Sequence, residues 1–369
     1  MKLYWITVVA FLSAVWALNA HTDVAGVDTA VTEIASRQGP NQALVSQLQF
    51  DQRAWISARL ARSCPDQLIL GSSTVGTLER SMFRNAETLN GWLLGPIPED
   101  FEAVTGLLGL LGCWPRTIVL GLDGFMLNDA VHNERWRTLE RERDAFLNQD
   151  APIRQGLERA RRAFAVFKDR LSYETTVASL SALLEHTSPA DGLRLRLIAD
   201  DAKLCSRLYG KPMVRHFDGH FAYCDAGIPP DAERQQIART YVERDSHQVR
   251  SWKRVSMRRL QALEHVIAAW RSHHVRVVLV TPPYNPLTYE AVQHDKQVAQ
   301  RFAEMDQAVL GLSIRTGAAF LRFRDPASLG CVESEYYDSH HFGPVCARRL
   351  AQRIEAAVVS AQDAQAPTN

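Results

Sequence analysis

The sequence predicts an α/β protein, a three-layer α/β/α sandwich around a central, mostly parallel sheet. Short runs that are nearly all apolar recur at LIL (68–70), TIVL (117–120), VRVVLV (275–280) and AAFLRF (318–323). Stretches with helical character separate them. The runs leave no face for water, and strands of that kind belong to a parallel sheet covered on both sides.

Ahead of the body, Lys2 precedes LYWITVVAFLSAVWAL, with no charge until Asp23 and only His21 able to titrate. Such a run suits the core of a signal peptide and is short for a spanning helix, which wants ~20 apolar residues. Ala17 and Ala20 offer cleavage points, but neither completes an A-x-A site. Residues 1–20 are therefore expected to be a cleaved signal peptide or an uncleaved signal anchor that tethers the chain to the membrane. Either way the body is expected to be extracytoplasmic, in the periplasm or on the outer face of the inner membrane. The 6 cysteines fit an oxidising compartment. Cys64 and Cys113 each lie just upstream of an apolar run, and parallel neighbouring strands would bring them to one sheet end. Cys205 with Cys224 and Cys331 with Cys346 are the local pairings that remain, although other connectivities stay open.

Residues 42–62 read as an amphipathic helix, with Leu44, Leu48, Trp55, Ile56 and Leu60 at helical spacing. LIL then stops at Gly71-Ser72-Ser73-Thr74, and TIVL at Gly121-Leu122-Asp123. VRVVLV stops at the breaker Thr281-Pro282-Pro283-Tyr284-Asn285-Pro286. The stretch 129–250 is long and charged; RWRTLERERDAFL, QGLERARRAFAVF and ETTVASLSALLEH predict a helical insertion within one domain spanning 21–360. The polar segment RHFDGHFAYCDAG follows them. ARRLAQRIEAAVV predicts a closing helix, and 361–369 a disordered tail.

Lys+Arg 42 against Asp+Glu 41 leave a net charge of +1, so no global field points to nucleic acid. The Arg-rich stretches alternate sign and read as solvated helix faces. TGLLGLLG lacks the Lys-Ser/Thr of a phosphate loop and reads as a helix packed on the sheet.

Ligands of an open parallel sheet bind beyond the carboxyl ends of its strands. Ser72 and Ser73 stand there after the first strand, and Asp123 after the second. Beyond the fourth comes SEYYDSHHFGP, with Asp338, His340 and His341. A hydroxyl, a His and an Asp converging from separate loops are what a nucleophilic hydrolase needs. Asp338 and His341, at i and i+3, pair more naturally in a turn than Asp338 with His340. Blander readings exist. GSST also reads as a helix cap at Ser73 or Thr74, and Asp338 as another cap. Two histidines with an aspartate also suit a metal, but no other His/Cys/Glu set has ligand spacing, so none is expected. Trp92, Trp114, Phe125 and Tyr284 are candidates for stacking on a sugar ring, although aromatics after strands are more often core.

These motifs resemble the SGNH/GDSL-type hydrolases, most closely a membrane-anchored, extracytoplasmic branch related to cell-envelope O-acyltransferases. The resemblance covers about residues 66–128 and 270–355. LILGSST is similar to the first family block and implies Ser73 as nucleophile, with Ser72 where many members have Asp. GPIPEDF is similar to the second block, whose glycine amide helps to bind the oxyanion, which points to Gly95. VLGLDGFMLND is similar to the third, usually glycine-x-asparagine, but Asp123 stands at the Asn position. YYDSHHFGP is similar to the last and implies His341 as base and Asp338 as the group orienting it. His340, Tyr284 and Trp92 are then candidate substrate contacts. The resemblance implies a flavodoxin-like fold and a Ser-His-Asp esterase or O-acyltransferase without a cofactor. Its substrate would be an ester or acylated glycan, acetyl foremost, of an envelope polysaccharide, and a membrane protein could supply the acyl groups.

Asp123 departs from this pattern, because an ionised carboxylate repels an oxyanion that an Asn amide would bind. Three readings follow: its backbone faces the site, burial keeps it protonated, or it holds an acceptor hydroxyl. The departure and the large insertion also fit an alternative, a catalytically inactive glycan-binding or assembly protein of the same fold.

Overall fold

The computed structural model describes residues 2–21, 27–46, 50–84, 86–147, 176, 180, 195–208, 213–224 and 228–363. Its strands are β1 (Gln42–Ser46), β2 (Gln67–Leu70), β3 (Thr88–Asn90), β4 (Thr117–Gly121), β5 (Arg196–Ala199), β6 (Met213–Arg215), β7 (Phe221–Ala222), β8 (Arg276–Thr281) and β9 (Ala319–Arg322). The central sheet runs β3-β2-β4-β8-β9, and every pairing in it is parallel. The fold is the expected α/β sandwich.

Period-two alternation divides each inner strand between two cores. Leu68, Leu70, Ile118, Leu120, Val277 and Leu279 face one core, shared with helices Pro98–Leu111 and Met257–Ser272. Ile69, Val119, Val278 and Val280 face the other, shared with the closing helix Pro344–Asp363. Each such side chain contributes about 1.5–3 kcal/mol on full burial. The continuous apolar runs in the sequence are explained by this double burial.

The sheet order also places the site. Chain direction across the sheet reverses between β2 and β4, since β2 leads to β3 on one side and β3 returns to β4 on the other. Register sets Leu70 beside Leu120 and Gly121 beside Val280, so the turns after β2, β4 and β8 emerge together. A crevice opens where the order of a parallel sheet reverses.

Disulfides join Cys64 to Cys113, Cys205 to Cys224 and Cys331 to Cys346. The first links the lead-ins of β2 and β4, as parallel neighbours require. Three disulfides indicate an oxidising, extracytoplasmic environment.

Three expectations are corrected. Residues 42–46 are not helical; they form β1, in a second, antiparallel sheet of order β5-β1-β6-β7. Ala43, Leu44 and Val45 are buried there between two partner strands. The helix begins only at Gln52, where the Asp51 carboxylate accepts the Arg53 amide at 2.8 Å as a cap. The stretch 129–250 is mixed where it is described, holding β5, β6 and β7 beside helices Glu140–Phe146 and Asp231–Arg239. QGLERARRAFAVF and, save for Thr176 and Leu180, ETTVASLSALLEH lie outside the described residues. The closing helix continues to Asp363, into the segment expected to be a tail, and 364–369 lie outside the described residues.

Lys2–His21 is one helix, with Tyr4, Trp5, Ile6 and Phe11 exposed. Among the described residues, no helix is long and apolar enough to cross a membrane.

Candidate active site

The turn after β2 depends on Gly71. Its φ is +147°, and a Cβ there would lie 2.9 Å from both the Gly121 carbonyl oxygen and Val75 Cγ2. Only glycine lets this turn pass so close to β4. Ser72 then caps a short 3₁₀ turn, Ser73–Val75, by accepting the Thr74 amide at 3.1 Å. The two serines thus separate. Ser72 is the cap and is 2% exposed, whereas Ser73 is half-buried at the crevice.

Ser73 Oγ lies 2.8 Å from His341 Nε2, and His341 Nδ1 lies 2.6 Å from Asp338 Oδ2. An ionised carboxylate can only accept, so Nδ1 carries the imidazole proton and Nε2 offers its lone pair to the Ser73 hydroxyl. Asp338 Oδ1 accepts the amides of His340 and His341, each at 2.9 Å. Burial alone would raise the Asp338 pKa, but the charges of His341 and His340 and these hydrogen bonds hold it well below the carboxylate range. For His341 burial acts downward, yet the charge and hydrogen bond of Asp338, helped by the charge of Asp123, leave the pKa raised above 6.5.

The loop bearing Asp338 is held from several sides. Asn285, at the turn after β8, donates from Nδ2 to the Asp338 carbonyl and from its amide to the Ser339 carbonyl, both at 3.1 Å. The Tyr337 amide donates to the His341 carbonyl at 2.8 Å. The Cys331–Cys346 disulfide brackets the loop with a sequence separation of 15; closing a loop of that size is worth about 3 kcal/mol. Asn285 was not singled out in the sequence beyond its place in the Pro-rich turn.

Asp123 faces the β2 turn rather than open space. Its Oδ2 accepts the Ser72 hydroxyl and, at 3.0 Å, the Thr74 hydroxyl. The residue is 2% exposed. Its carboxylate therefore ties together the ends of β2 and β4. Gly95, at φ +53°, sits on the loop after β3, which the Leu93 amide fastens to the Gly71 carbonyl at 2.8 Å. Among the described residues the amides of Gly95 and Ser73 have no acceptor.

The His340 ring lies 4.1 Å from that of His341, tilted by 41°, and shares a 2.8 Å hydrogen bond with Ser339 Oγ. Burial, then the charge of His341, pushes its pKa well down. Trp92 and Tyr284 belong to the packing around the site. Trp92 is 2% exposed, and its indole N–H donates to the Gly219 carbonyl at 3.1 Å. Tyr284 is 3% exposed between Tyr241 and Phe302. Trp114 stacks on His273 at 3.8 Å, ahead of β4 and β8 and thus at the opposite sheet end. Phe125 is buried beneath His247.

The half-buried aromatics beside His341 are instead Tyr223, at 6.1 Å, and Tyr337, at 4.5 Å from Tyr223. Tyr223 comes from the segment RHFDGHFAYCDAG. Only its place next to Cys224 marked it, since that disulfide helps to fix the segment.

Asp338, His340 and His341 could each turn a ligand atom to one cation, these atoms lying within 4.8 Å of one another. In the observed arrangement the Asp338 oxygens and both ring nitrogens of His341 are already hydrogen-bonded, which favours proton transfer over ligation. Cys331, Glu335 and Cys346 also cluster, but their sulfurs form a disulfide.

In comparisons with known proteins, no family model, no curated protein and no solved structure matches this chain.

Proposed function

We propose that the chain is an exported SGNH-like serine esterase or O-acyltransferase acting on ester-linked acyl groups of an envelope polysaccharide. One observation carries the reading: an unbroken line of hydrogen bonds from Asp338 through His341 to Ser73, at the sheet's switch point. Ser73 Oγ attacks the ester carbonyl while His341 Nε2 takes its proton, and Asp338 stabilises the imidazolium. The amides of Ser73 and Gly95 are the donors left for the oxyanion. His341 then protonates the departing alkoxide, leaving acyl-Ser73. Water or a sugar hydroxyl attacks this ester, again with His341 as base, and restores the serine.

A glycan substrate draws support from the half-buried Tyr223 and Tyr337 beside His341, since aromatic rings suit a sugar ring. The disulfides and the apolar helix Lys2–His21 support export, with that helix as a signal or a membrane anchor. A second reading, an inactive glycan-binding or assembly protein, rests on Asp123, a carboxylate where an oxyanion donor is usual.

A fluorophosphonate probe separates the two, because only an activated serine reacts readily. Wild-type protein is expected to label and to hydrolyse p-nitrophenyl acetate. Ser73→Ala is expected to lose labelling and to slow hydrolysis by ~10⁴-fold or more. A folded wild-type protein that does not label would favour the inactive reading.

A further inference from the structure

We infer that His247 binds the acceptor, holding the incoming hydroxyl of a neutral carbohydrate beside His341; the inference rests on the acyl-enzyme reading above. The observation behind it is a strained segment at the mouth of the site. Asp245, His247 and Gln248 have φ of 50°, 55° and 58°, in the left-handed region that non-glycine residues avoid. Such a backbone is strained and persists only where its surroundings over-determine it.

The surroundings do so here. The Asp245 carboxylate accepts the Arg250 amide at 2.6 Å and the Ser251 hydroxyl. Asn128 Nδ2 donates to the Gln248 carbonyl at 3.0 Å, and His247 Nδ1 lies 3.0 Å from the Tyr241 hydroxyl. Val249 anchors the segment in the core. His247 as a whole residue is exposed, while its ring rests against Phe125, Tyr241 and His340.

The ties present one ring to the site. The His247 ring stands 4.9 Å from His340 in a T-shape and 5.1 Å from Phe125, two residues beyond Asp123. With Nδ1 engaged by Tyr241, Nε2 is the nitrogen available to a ligand. Tyr223 and Tyr337 flank the other side of the histidine pair. Asp123 and Asp338 make this space unfavourable for an anion, whereas an uncharged hydroxyl incurs no repulsion. In the step His247 serves, the acceptor oxygen attacks the acyl carbon of acyl-Ser73 and its proton passes to His341 Nε2. The Ser73 Oγ–acyl bond breaks, Oγ takes that proton back, and the acceptor leaves as an ester.

The test uses the full chain, p-nitrophenyl acetate as donor and cellopentaose as the probe acceptor. Nitrophenolate release reports acyl-enzyme formation, and mass spectrometry gives the ratio of acetylated cellopentaose to free acetate. His247→Gly is expected to lower that ratio at least ~10-fold while its Tm holds or rises, since glycine accepts the backbone without strain. His247→Asn, which tolerates the left-handed region and restores a polar group, is expected to recover part of the ratio. A ratio equal in wild type and His247→Gly, including the case where neither acetylates cellopentaose, overturns the inference. So does a lowered ratio that comes with a lower Tm and is not recovered by Asn, which marks a structural role. Nitrophenolate release by wild type that persists in Ser73→Ala overturns the acyl-enzyme reading itself, and this inference with it.

Discussion

Two adjacent serines sit in opposite chemical situations. Ser72 donates to the Asp123 carboxylate, accepts the Thr74 amide and is buried. Ser73, one residue on, faces the crevice and meets an imidazole. A carboxylate, with an ordinary pKa near ~4, can orient a hydroxyl but is too weak a base to take its proton at neutral pH. An imidazole near ~6.5 can take it. In the second line the carboxylate stands behind the imidazole and tunes it. The same two residue types thus give a structural knot in one place and, in the proposed mechanism, a nucleophile in the other. The partner decides which.

The largest expected effect breaks the second line. Asp338→Asn removes the charge that raises the His341 pKa and lets the ring adopt the wrong tautomer. Hydrolysis of p-nitrophenyl acetate is expected to fall on the order of 10⁴-fold. A loss below tenfold would mean that the carboxylate behind His341 does not distinguish Ser73 from Ser72. The same pair sets the pH dependence. His341 must be neutral to accept a proton and its pKa is raised, so activity should fall on acidification with a midpoint above 6.5. For stability the signs are opposite. The His341 contribution is full below its unfolded pKa and is lost as pH rises through the folded value. That of Asp338 is present above the ordinary carboxylate range and is lost only as pH falls through its depressed folded value.

A smaller effect is expected at the knot. Ser72→Ala leaves the buried Asp123 with one hydroxyl donor instead of two and the Thr74 amide without its cap. Stability should fall by about 1–3 kcal/mol in denaturant unfolding. The rate of p-nitrophenyl acetate hydrolysis should change far less than in Asp338→Asn. A Ser72→Ala loss comparable to that of Asp338→Asn would move Ser72 from the knot into the chemistry.

What was legible in the sequence follows the range of the interactions. β2, β4 and β8 were legible because double burial makes them almost wholly apolar. β9 was legible from Ala319–Leu321 although it is only partly buried at the sheet edge, and the Cys64–Cys113 pairing followed from β2 and β4 being parallel. Asp338 with His341 was legible because three residues of one turn decide it. β1 was not: Leu44 and Leu48 fit a helical period, and the partners that make residues 42–46 a strand lie at 196–199 and 213–215, far along the chain. Trp92 and Tyr284 looked available because they follow strands, yet buried contacts enclose them. Tyr223 and His247 were missed for the converse reason. They come from the segment between β4 and β8, and only its tertiary docking, such as the 2.8 Å hydrogen bond from the Phe221 amide to the Gly76 carbonyl, brings Tyr223 toward His341. No local pattern encodes that.

The smallest expected effect is the sharpest on how the two lines interact. The charge of Asp123 is one of the influences raising the His341 pKa, although Asp123 is hydrogen-bonded to Ser72 and Thr74 instead. Asp123→Asn keeps a carbonyl oxygen able to accept both hydroxyls, so the knot should survive with little change in Tm. It removes the negative charge, so the imidazolium loses part of its stabilisation and the acid limb of kcat/KM should move to lower pH. Asp338→Asn removes a larger influence on the same group and should move the limb further, in the same direction, in whatever activity remains. An Asp123→Asn limb that stays in place would show that the knot is electrostatically sealed from the catalytic line. Asp123 would then act on the site only by joining the ends of β2 and β4.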